Sequence, residues 1–430
     1  MVHARQSHAT FLLTVLHIPT IHPQTQEKMK NILCLVLLAL LGLLPAKAQS
    51  LSAPPGKLIY IPKDLWNNDF TSPDSKWSYA RMAYTDDVVI FWEKAFGDDP
   101  AKAPDLDGHP MKVDIPNLLD RLDAFYGYFR DTLEFVLPGS KSERYRMMVM
   151  LNYSLEGTAY GGDYDQEIGA LWIAPNRVQD KKLNCIAHEL GHSFQSQVMC
   201  DKAGAAWGGS PFFEMASQWM LWQVNPAWTS DENYHWQAFR KSFNKAFLAI
   251  ENIYRSPYVL EYWAMKHGKT EIGNLFREGR IGEDPAQTYM RLHGLSIEDM
   301  NREMVDCYSR LLSFDFPRVK ASHKAMIGQL EGTDEMGTWG FNVIPVDLSA
   351  ASGRKVKVDL FAYYKTIKDN EFRYQLVGLD KAGEATYYGI RKLNTSETSV
   401  KLSPAIDKLY LVVVKCPKGT YKPQIFAPDE

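Results

Sequence analysis

The stretch Asn184–Val198, NCIAHELGHSFQSQV, decides how the rest of the sequence is interpreted. It places His188 and His192 four residues apart, with Glu189 directly after the first histidine. On a helix of 3.6 residues per turn, the two imidazoles project from one face and can reach a single metal ion. The Glu189 carboxylate projects roughly 100° away around the helix, beside such an ion rather than on it. The pattern therefore indicates a metal site with a base next to it.

A third ligand is available at Glu214, in the following stretch PFFEMASQWMLWQV. A carboxylate in the first turn of a helix is also favoured by the helix dipole alone, so a role without metal stays open. The neighbours Phe212, Phe213 and Met215 would bury it, however, and an unpaired buried charge is costly. We therefore favour a ligand. Zinc suits this set, because it lowers the pKa of a bound water toward about 7 and a nearby carboxylate can take the proton. The expected chemistry is hydrolysis.

Regular patterns flank the motif on both sides. From Asp114 the sequence has apolar residues every three or four positions, which predicts an amphipathic helix. RYRMMVMLNY and GALWIAP are short apolar runs that predict two strands, separated by a glycine-rich turn at Gly161 and Gly162. The helix that carries the motif is expected to be capped at Asp180 and to end at Gly204, and the next helix to be capped at Ser210.

The spacing of apolar residues changes in the second half of the sequence. From Asp231 to about Leu312 the spacing of apolar residues is helical nearly throughout, with its clearest stripe between Trp236 and Tyr254. From Trp339 onward, alternating runs separated by turn residues predict an all-β region, most simply a sandwich. The expected class is α+β. We expect a catalytic domain at 49–335 and a β-sandwich domain at 336–430.

Composition excludes some partners. A chain of 430 residues, 45% of them hydrophobic, can bury a large core. Its formal net charge of -3 offers no general positive field for a nucleic-acid backbone. We therefore expect a globular protein that has no nucleic-acid partner.

The N-terminal sequence has the layout of a secretory signal that begins at Met29. Lys30 is the short basic region, the apolar core spans 32–44, and the small residues at 46–48 form a cleavage site. Everything before Met29 is then an upstream extension, and the mature chain starts near Gln49. An apolar run this short spans a bilayer poorly, so a membrane anchor is the weaker interpretation. We expect a secreted, periplasmic or extracellular protein without a stable membrane span.

Four cysteines remain in the expected mature chain: Cys185, Cys200, Cys307 and Cys416. On one helix, the first two would lie roughly 22 Å apart, too far for a disulfide. A pair between Cys200 and Cys307 stays open. The spacing does not indicate a disulfide scaffold or a second, structural zinc site.

The HELGH motif followed by Glu214 in FFEMASQW resembles the gluzincin branch of the zincin metallopeptidases, and more closely secreted bacterial gluzincin-like proteins with a C-terminal β domain. Enhancin and mucinase-like gluzincins, which act on glycoproteins, are a related possibility. The resemblance implies that His188, His192 and Glu214 bind Zn²⁺ and that Glu189 is the general base. It also implies a zincin-like domain with a helical lower half. The chain departs from one gluzincin pattern at Gln218, where an aspartate would support a ligand histidine.

Two further roles follow from the resemblance. GALWIAP would be an edge strand beside the cleft that pairs with an extended substrate, although a plain core strand is an equal alternative. Gluzincins also use a Tyr or His from the helical lower half to stabilise the charge on the attacked oxygen. Tyr258 is the first candidate for this role, followed by Tyr262 and His235.

The sequence thus predicts a secreted zinc metallopeptidase that hydrolyses peptide bonds in proteins or glycoproteins. The competing hypothesis is a catalytically inert surface protein that binds glycans or host proteins through its β domain, where Tyr363, Tyr364, Tyr387 and Tyr388 can line a sugar site. The intact Glu189 argues against it, because an inert protein has no chemical need for that carboxylate. Hydrolysis of a non-peptide amide stays open.

Overall fold

The first half of the fold is built on a mixed five-stranded sheet. A computed structural model describes residues 51–157, 159–202, 207, 211–349 and 353–424. The strands of this sheet are β1 (Met82–Tyr84), β2 (Val88–Trp92), β3 (Met147–Leu151), β4 (Tyr160–Tyr164) and β5 (Ile168–Ile173). Their order is β1-β2-β3-β5-β4, with β2, β3 and β5 parallel and the two outer strands antiparallel. Strands β2 and β3 are continuously apolar, as expected for strands that are buried along their whole length, and of these two the sequence predicted β3.

The order of the strands decides one open question and corrects one prediction. GALWIAP forms β5, which lies between β3 and β4 and is therefore an internal strand rather than the edge. The edge is β4, which contains the two glycines that were expected to form a turn. Glycine weakens a strand and usually marks a turn, so local propensity predicted a turn where the structure has a strand.

Two helices cover the sheet beside the motif. Helix α1 (Ile115–Asp131) begins as expected, since the Asp114 side chain accepts a hydrogen bond from the Asn117 backbone. Helix α2 (Asn184–Lys202) carries the motif. Asp180 does not cap α2, because it accepts from the backbone of Lys182 in a turn that precedes the helix. The expected boundary residues Gly204 and Ser210, and the signal at 1–48, lie outside the described residues.

Short helices make up the middle of the chain. They are α3 (Pro211–Val224), α4 (Trp228–Asp231), α5 (Asn233–Phe239), α6 (Tyr258–His267), α7 (Glu271–Glu278), α8 (Pro285–His293) and α9 (Ile297–Ser313). The prediction of continuous helix fails at 240–257, where turns surround a single 3-10 helix at Ile250–Asn252. There the Ser242 hydroxyl donates to the Asn252 side-chain oxygen and the Asn252 amide donates to the Ser242 backbone carbonyl, and such contacts compete with helix formation.

Helix α3 is anchored to the rest of the helical region through a buried carboxylate. Glu261 in α6 accepts hydrogen bonds from Trp219 and Gln223 of α3, at 3.0 and 2.9 Å. It also pairs with both ends of the Arg318 guanidinium, at 2.8 and 3.0 Å. A fully paired buried charge of this kind holds the helix in one position.

The last part of the chain is rich in strands. They are β6 (Phe341–Val346), β7 (Lys355–Asp359), β8 (Glu371–Asp380), β9 (Ala385–Tyr387), β10 (Arg391–Lys392), β11 (Glu397–Lys401) and β12 (Ile406–Cys416), with a short helix α10 (Phe361–Tyr364). One sheet has the order β10-β8-β12-β6, with β9 also paired to β8, and β7 pairs with β11 in a second sheet. Mixed helix and sheet of this kind confirm the α+β class.

The two faces of the β12 sheet pack against different parts of the protein. Val412 and Val414 belong to the main core with the helices, whereas Leu411 and Val413 belong to a smaller core that includes Val358 of the two-stranded sheet. This alternation is the period-two pattern of a strand that is buried on both sides. Residues 51–430 form one compact unit, and a domain boundary at 335/336 stays a prediction. Among the described helices, none has the length and apolar character needed to span a membrane.

Candidate metal centre

Helices α2 and α3 bring three potential ligand atoms to one point. His188 Nε2 and His192 Nε2 lie 3.1 Å apart, and each lies 3.0 Å from Glu214 Oε2. The two histidines are one turn apart on α2, as the sequence predicts, and Glu214 is in the first turn of α3. In the described part of the chain, this is the cluster of His, Cys, Asp and Glu side chains suited to hold a metal ion.

Glutamine amides orient both imidazoles. Gln218 Oε1 lies 2.9 Å from His188 Nδ1, while Gln218 Nε2 donates to the Tyr254 backbone carbonyl at 3.0 Å. A carbonyl only accepts, so the amide nitrogen must face Tyr254 and the amide oxygen must face the ring. His188 therefore carries its proton on Nδ1 and directs the lone pair of Nε2 toward Glu214. The expectation that Gln218 replaces the usual aspartate agrees with this contact.

His192 has an equivalent partner that the sequence analysis missed. Gln195 Oε1 lies 3.0 Å from His192 Nδ1, and Gln195 Nε2 donates to the Phe213 carbonyl at 2.9 Å and to Ser217 Oγ at 3.0 Å. Gln195 is three residues after His192 on the same helix, a spacing at which side chains meet. That spacing is the signal by which it could have been found.

The donor set fits a divalent cation. When both rings are neutral and carry their proton on Nδ1, the three converging atoms are all acceptors. Their separations of 3.0–3.1 Å define a triangle whose centre is about 1.8 Å from each corner, so one ion close to it can lie about 2.0–2.1 Å from all three. Two imidazoles and one carboxylate are a ligand set that zinc uses in catalytic sites.

Glu189 lies beside the three ligand atoms. Its Oε2 accepts a hydrogen bond of 2.9 Å from the Gly161 backbone, on the edge strand β4. Burial raises the pKa of the Glu189 carboxyl, although the nearby imidazoles and the Gly161 amide act in the opposite direction. A carboxylate with a raised pKa accepts and returns protons more readily near neutral pH.

Glycine allows the sheet to approach α2 this closely. A Cβ at Gly161 would lie 1.8 Å from the Glu189 carbonyl oxygen, and one at Gly169 would lie 2.7 Å from the Ser193 carbonyl oxygen. Ser193 Oγ also donates to the Ala170 carbonyl at 2.7 Å. Glycine in these strands therefore permits the short distance between the sheet and the motif helix, and Gly161 is one of the two glycines that were predicted to form a turn.

The structure places Tyr254, rather than Tyr258, at the site. Tyr258 is fully buried between aromatic rings such as Trp222 and Phe239, and its hydroxyl has no hydrogen-bond partner among the described residues. The Tyr254 ring lies 5.9 Å from that of His188. Burial, followed by the charge of Glu214 and a hydrogen bond to it, raises the pKa of Tyr254 to about 12. Tyr254 was assigned to an apolar helical stripe, and the absence of that helix turns it toward the metal site.

Residues 52–429 match a protein family described as a family of unknown function, DUF6055. The chain belongs to the DUF6055 family. No curated protein matches the sequence.

Two solved structures are distantly similar to the DUF6055 protein. The first is the ZmpB metallopeptidase from Clostridium perfringens, with 15% identity and a TM-score of 0.34, where the match covers 79% of this chain and 66% of that chain. The second is the M60 catalytic domain from Clostridium perfringens ZmpC in complex with the sialyl T antigen, with 13% identity and a TM-score of 0.33, covering 80% and 68%. Similarities this weak support no conclusion about activity, so the roles proposed below rest on the geometry of this chain.

The other candidates for stabilising an oxyanion lie farther from the ligand atoms. In the DUF6055 protein, His235 Nε2 lies 3.3 Å from Glu232 and 3.4 Å from Gln218 Nε2, behind the amide that orients His188. Tyr262 is buried and donates to Asp306. Neither side chain contacts the three converging atoms in the described structure.

The aromatic residues proposed to bind sugar in the β region are largely engaged in packing. Tyr387 donates to Asp315, and the Tyr363 hydroxyl accepts from Asn342. The Tyr388 hydroxyl is buried. Tyr364 is 36% exposed, on the short helix α10.

A polar cavity of about 410 Å³ lies at the carboxyl ends of the parallel strands. Glu93, Asn152 and Ala174 line it, each directly after β2, β3 or β5. Tyr160, which begins the edge strand and is 52% exposed, stacks on Trp172 with ring centroids 5.4 Å apart. The cavity therefore combines aromatic rings with polar side chains, one residue away from Gly161.

Proposed function

We propose that the DUF6055 protein is an exported zinc metallopeptidase with a zincin-like catalytic region, and that it hydrolyses peptide bonds in proteins or glycoproteins. One observation carries the proposal. His188 Nε2, His192 Nε2 and Glu214 Oε2 converge within 3.0–3.1 Å of one another, and with neutral rings the glutamine contacts leave all three as acceptors. A cation is the partner that such a cluster requires, and zinc prefers this ligand set.

The residues around the ligands suit hydrolysis. Zinc, when bound, polarises a carbonyl group and lowers the pKa of a water molecule. Glu189 takes the proton of the attacking water and passes it to the leaving amine, and its raised pKa favours both transfers. The Tyr254 hydroxyl, which is next to Glu214, donates a hydrogen bond to the oxygen on which negative charge develops.

The edge strand β4 supports a peptide as the substrate. Among the described strands it pairs only with β5, so an extended peptide can add to its other side through backbone hydrogen bonds. Gly161 connects this strand to Glu189 through its amide. A peptide that lies along β4 therefore passes the proposed base.

The polar cavity beside β4 supports glycoproteins among the substrates. Its lining offers the Trp172 and Tyr160 rings, the Asn152 amide and the Glu93 carboxylate. Lys76 and Glu93 in its lining pair at 3.2 Å and Glu156 adds a second carboxylate, so the cavity offers polar groups that can hydrogen-bond a ligand with many hydroxyl groups. A volume of about 410 Å³ lies within the range of small-molecule pockets.

The alternative is a catalytically inert protein that binds glycans or host proteins through its β region. Phe361 and Tyr364 on α10, which are 56% and 36% exposed, are the observation that favours it. The partly buried Glu189 favours the enzyme, because a carboxylate drawn out of water beside the three ligand atoms is costly to keep without a chemical role.

The test uses the exported form of the chain and its Glu189→Gln variant, each loaded with zinc. Both are incubated with a peptide library and with mucin-type glycoproteins, and the products are identified by mass spectrometry. We expect cleavage by the parent, loss of cleavage with a chelator, and no cleavage by E189Q despite full zinc binding. Equal glycoprotein binding by both proteins, with no cleavage by either, would support the inert binding protein instead.

A further inference from the structure

We propose that Gln195 is a positioning residue of the metal site, and that its amide holds His192 and Glu214 together in the arrangement that binds a divalent cation. The inference rests on the proposed function, but it concerns how tightly the site holds its metal rather than which bond is broken. Gln195 is 1% exposed, so water does not compete for its contacts.

All the hydrogen-bonding capacity that Gln195 directs at the site is used. Its oxygen accepts from His192 Nδ1 at 3.0 Å. Its nitrogen donates to the Phe213 carbonyl at 2.9 Å and to Ser217 Oγ at 3.0 Å. Since the Phe213 carbonyl is an acceptor only, the amide cannot flip without placing two acceptors against each other.

These contacts join the two helices that supply the ligands. Gln195 lies on α2, three residues after His192, whereas Phe213 and Ser217 lie on α3, on either side of Glu214. One amide therefore orients the His192 ring and also determines the offset between α2 and the Glu214 carboxylate. The Gln218 amide, on α3, also joins the two helices through its contact with His188, but its second contact is to the Tyr254 carbonyl, outside both helices.

Loss of this amide should weaken metal binding even in a fully folded protein. An imidazole without its Nδ1 partner also samples other orientations and the Nε2–H tautomer. Neither presents a lone pair at the point where the three ligand atoms converge. The apparent dissociation constant is the intrinsic constant divided by the fraction of molecules that keep the binding arrangement, so it rises as that fraction falls. Substitution of residues that orient metal ligands typically costs about 10–100-fold in metal affinity.

Gln197 provides a matched control on the same helix. It is fully buried like Gln195, its oxygen accepts from the Gly169 backbone at 2.9 Å, and its nitrogen donates to Asp201 at 3.0 Å. Its contacts connect α2 to the sheet and to the end of the same helix, away from the ligand atoms. A substitution there reports the cost of losing a buried amide from α2 without touching the metal site.

The experiment measures the zinc affinity of the purified exported chain by competition with a chromophoric chelator, on samples shown to be folded by circular dichroism. The variants are Gln195→Met and Gln197→Met. We expect about 10–100-fold weaker zinc binding for Q195M and an affinity within about twofold of the parent for Q197M. Gln195→Glu keeps an oxygen that reaches His192 but sets its second oxygen against the Phe213 carbonyl, so it should recover part of the affinity lost in Q195M.

A second pair of variants applies if the methionine variants do not fold. Gln195→Asn keeps a polar amide that is about 1.5 Å too short to reach His192, and Gln197→Asn is its control. Three outcomes would overturn the positioning role and leave the proposed function standing. They are zinc affinity equal to the parent's in the Gln195 variants, equal losses of affinity at positions 195 and 197, and no recovery of affinity in Q195E. A parent chain that does not bind zinc would instead refute the proposed function, and this inference with it.

Discussion

Replacing Gly161 with alanine tests the contact between the edge strand and the motif helix. The added Cβ would lie 1.8 Å from the Glu189 carbonyl oxygen and 2.9 Å from the Ser193 nitrogen. An ordinary contact begins at 3.4 Å, so β4 and α2 must separate by roughly 1.6 Å, which also breaks the 2.9 Å hydrogen bond from Gly161 to the Glu189 carboxylate. Displacements of about 1 Å near reacting groups cost about 100-fold in rate.

We expect Gly161→Ala to lower kcat/KM on a peptide substrate by about 100-fold or more. Overpacking of this kind also lowers the free energy of unfolding by about 1–3 kcal/mol. Zinc affinity should change little, since Gly161 contacts none of the three ligand side chains in the described structure. Peptide hydrolysis, urea denaturation and chelator competition measure the three effects separately.

Gly162→Ala is the matched control for this prediction. A Cβ there meets only the edge of the Trp172 ring, at 3.3 Å, and a side chain yields more easily than a helix backbone. The control should therefore keep most of its activity and stability. If the two alanine variants behaved alike, close approach of β4 would not be what positions Glu189, and the reasoning would be refuted.

Four further predictions test the site and its support. Tyr254→Phe should lower kcat by about 100–1000-fold with zinc affinity unchanged, whereas Tyr258→Phe should leave peptide hydrolysis unaffected because its hydroxyl is buried away from the ligands. Trp172→Ala should weaken cleavage of a glycosylated peptide by about fivefold or more, and should spare the same peptide without sugar. Arg318→Met leaves the Glu261 carboxylate buried with its main charge partner removed, and should cost about 3–5 kcal/mol in urea denaturation. The parent protein is compared without zinc and with free zinc at one hundred times its dissociation constant. Removing the zinc should lower the free energy of unfolding by about 2.7 kcal/mol, measured by the same method.

Each of these predictions has an opposing outcome. Equal activities of Y254F and Y258F would remove Tyr254 from the chemistry. Equal losses on both peptides for W172A would mean that the ring acts on folding rather than on sugar binding. For R318M, the control is Lys94→Met, which breaks an exposed ion pair with Asp74 and should cost less than about 1 kcal/mol. A chelator that leaves the unfolding curve unchanged would argue against any bound metal.

Local pattern was sufficient for the parts of the fold that depend on helix and strand periodicity. His188 and His192 share a face of α2 because that relation follows from 3.6 residues per turn, whatever surrounds the helix. Helix α1 begins where its apolar spacing predicts, for the same local reason. The short apolar run of β3 was enough to indicate a strand.

Contacts between distant parts of the chain overrode several secondary-structure predictions made from local sequence. Two glycines in β4 indicated a turn, and only the packing of the sheet on α2 explains why they lie in an edge strand. The apolar stripe up to Tyr254 indicated a helix, but Ser242 and Asn252 form their own hydrogen bonds and the chain turns instead. That turn is what separates Tyr254, beside Glu214, from the buried Tyr258.

The sequence by itself determined the residue types at the candidate site and the face of the helix from which they project, because both depend only on composition and local geometry. Only the tertiary structure decided which strand lies at the edge, which tyrosine reaches the site, and that the Gln195 amide connects His192 to the helix of Glu214. These relations depend on contacts between segments far apart in the chain, and the free energy of such contacts comes from the packing of the whole core rather than from any single stretch.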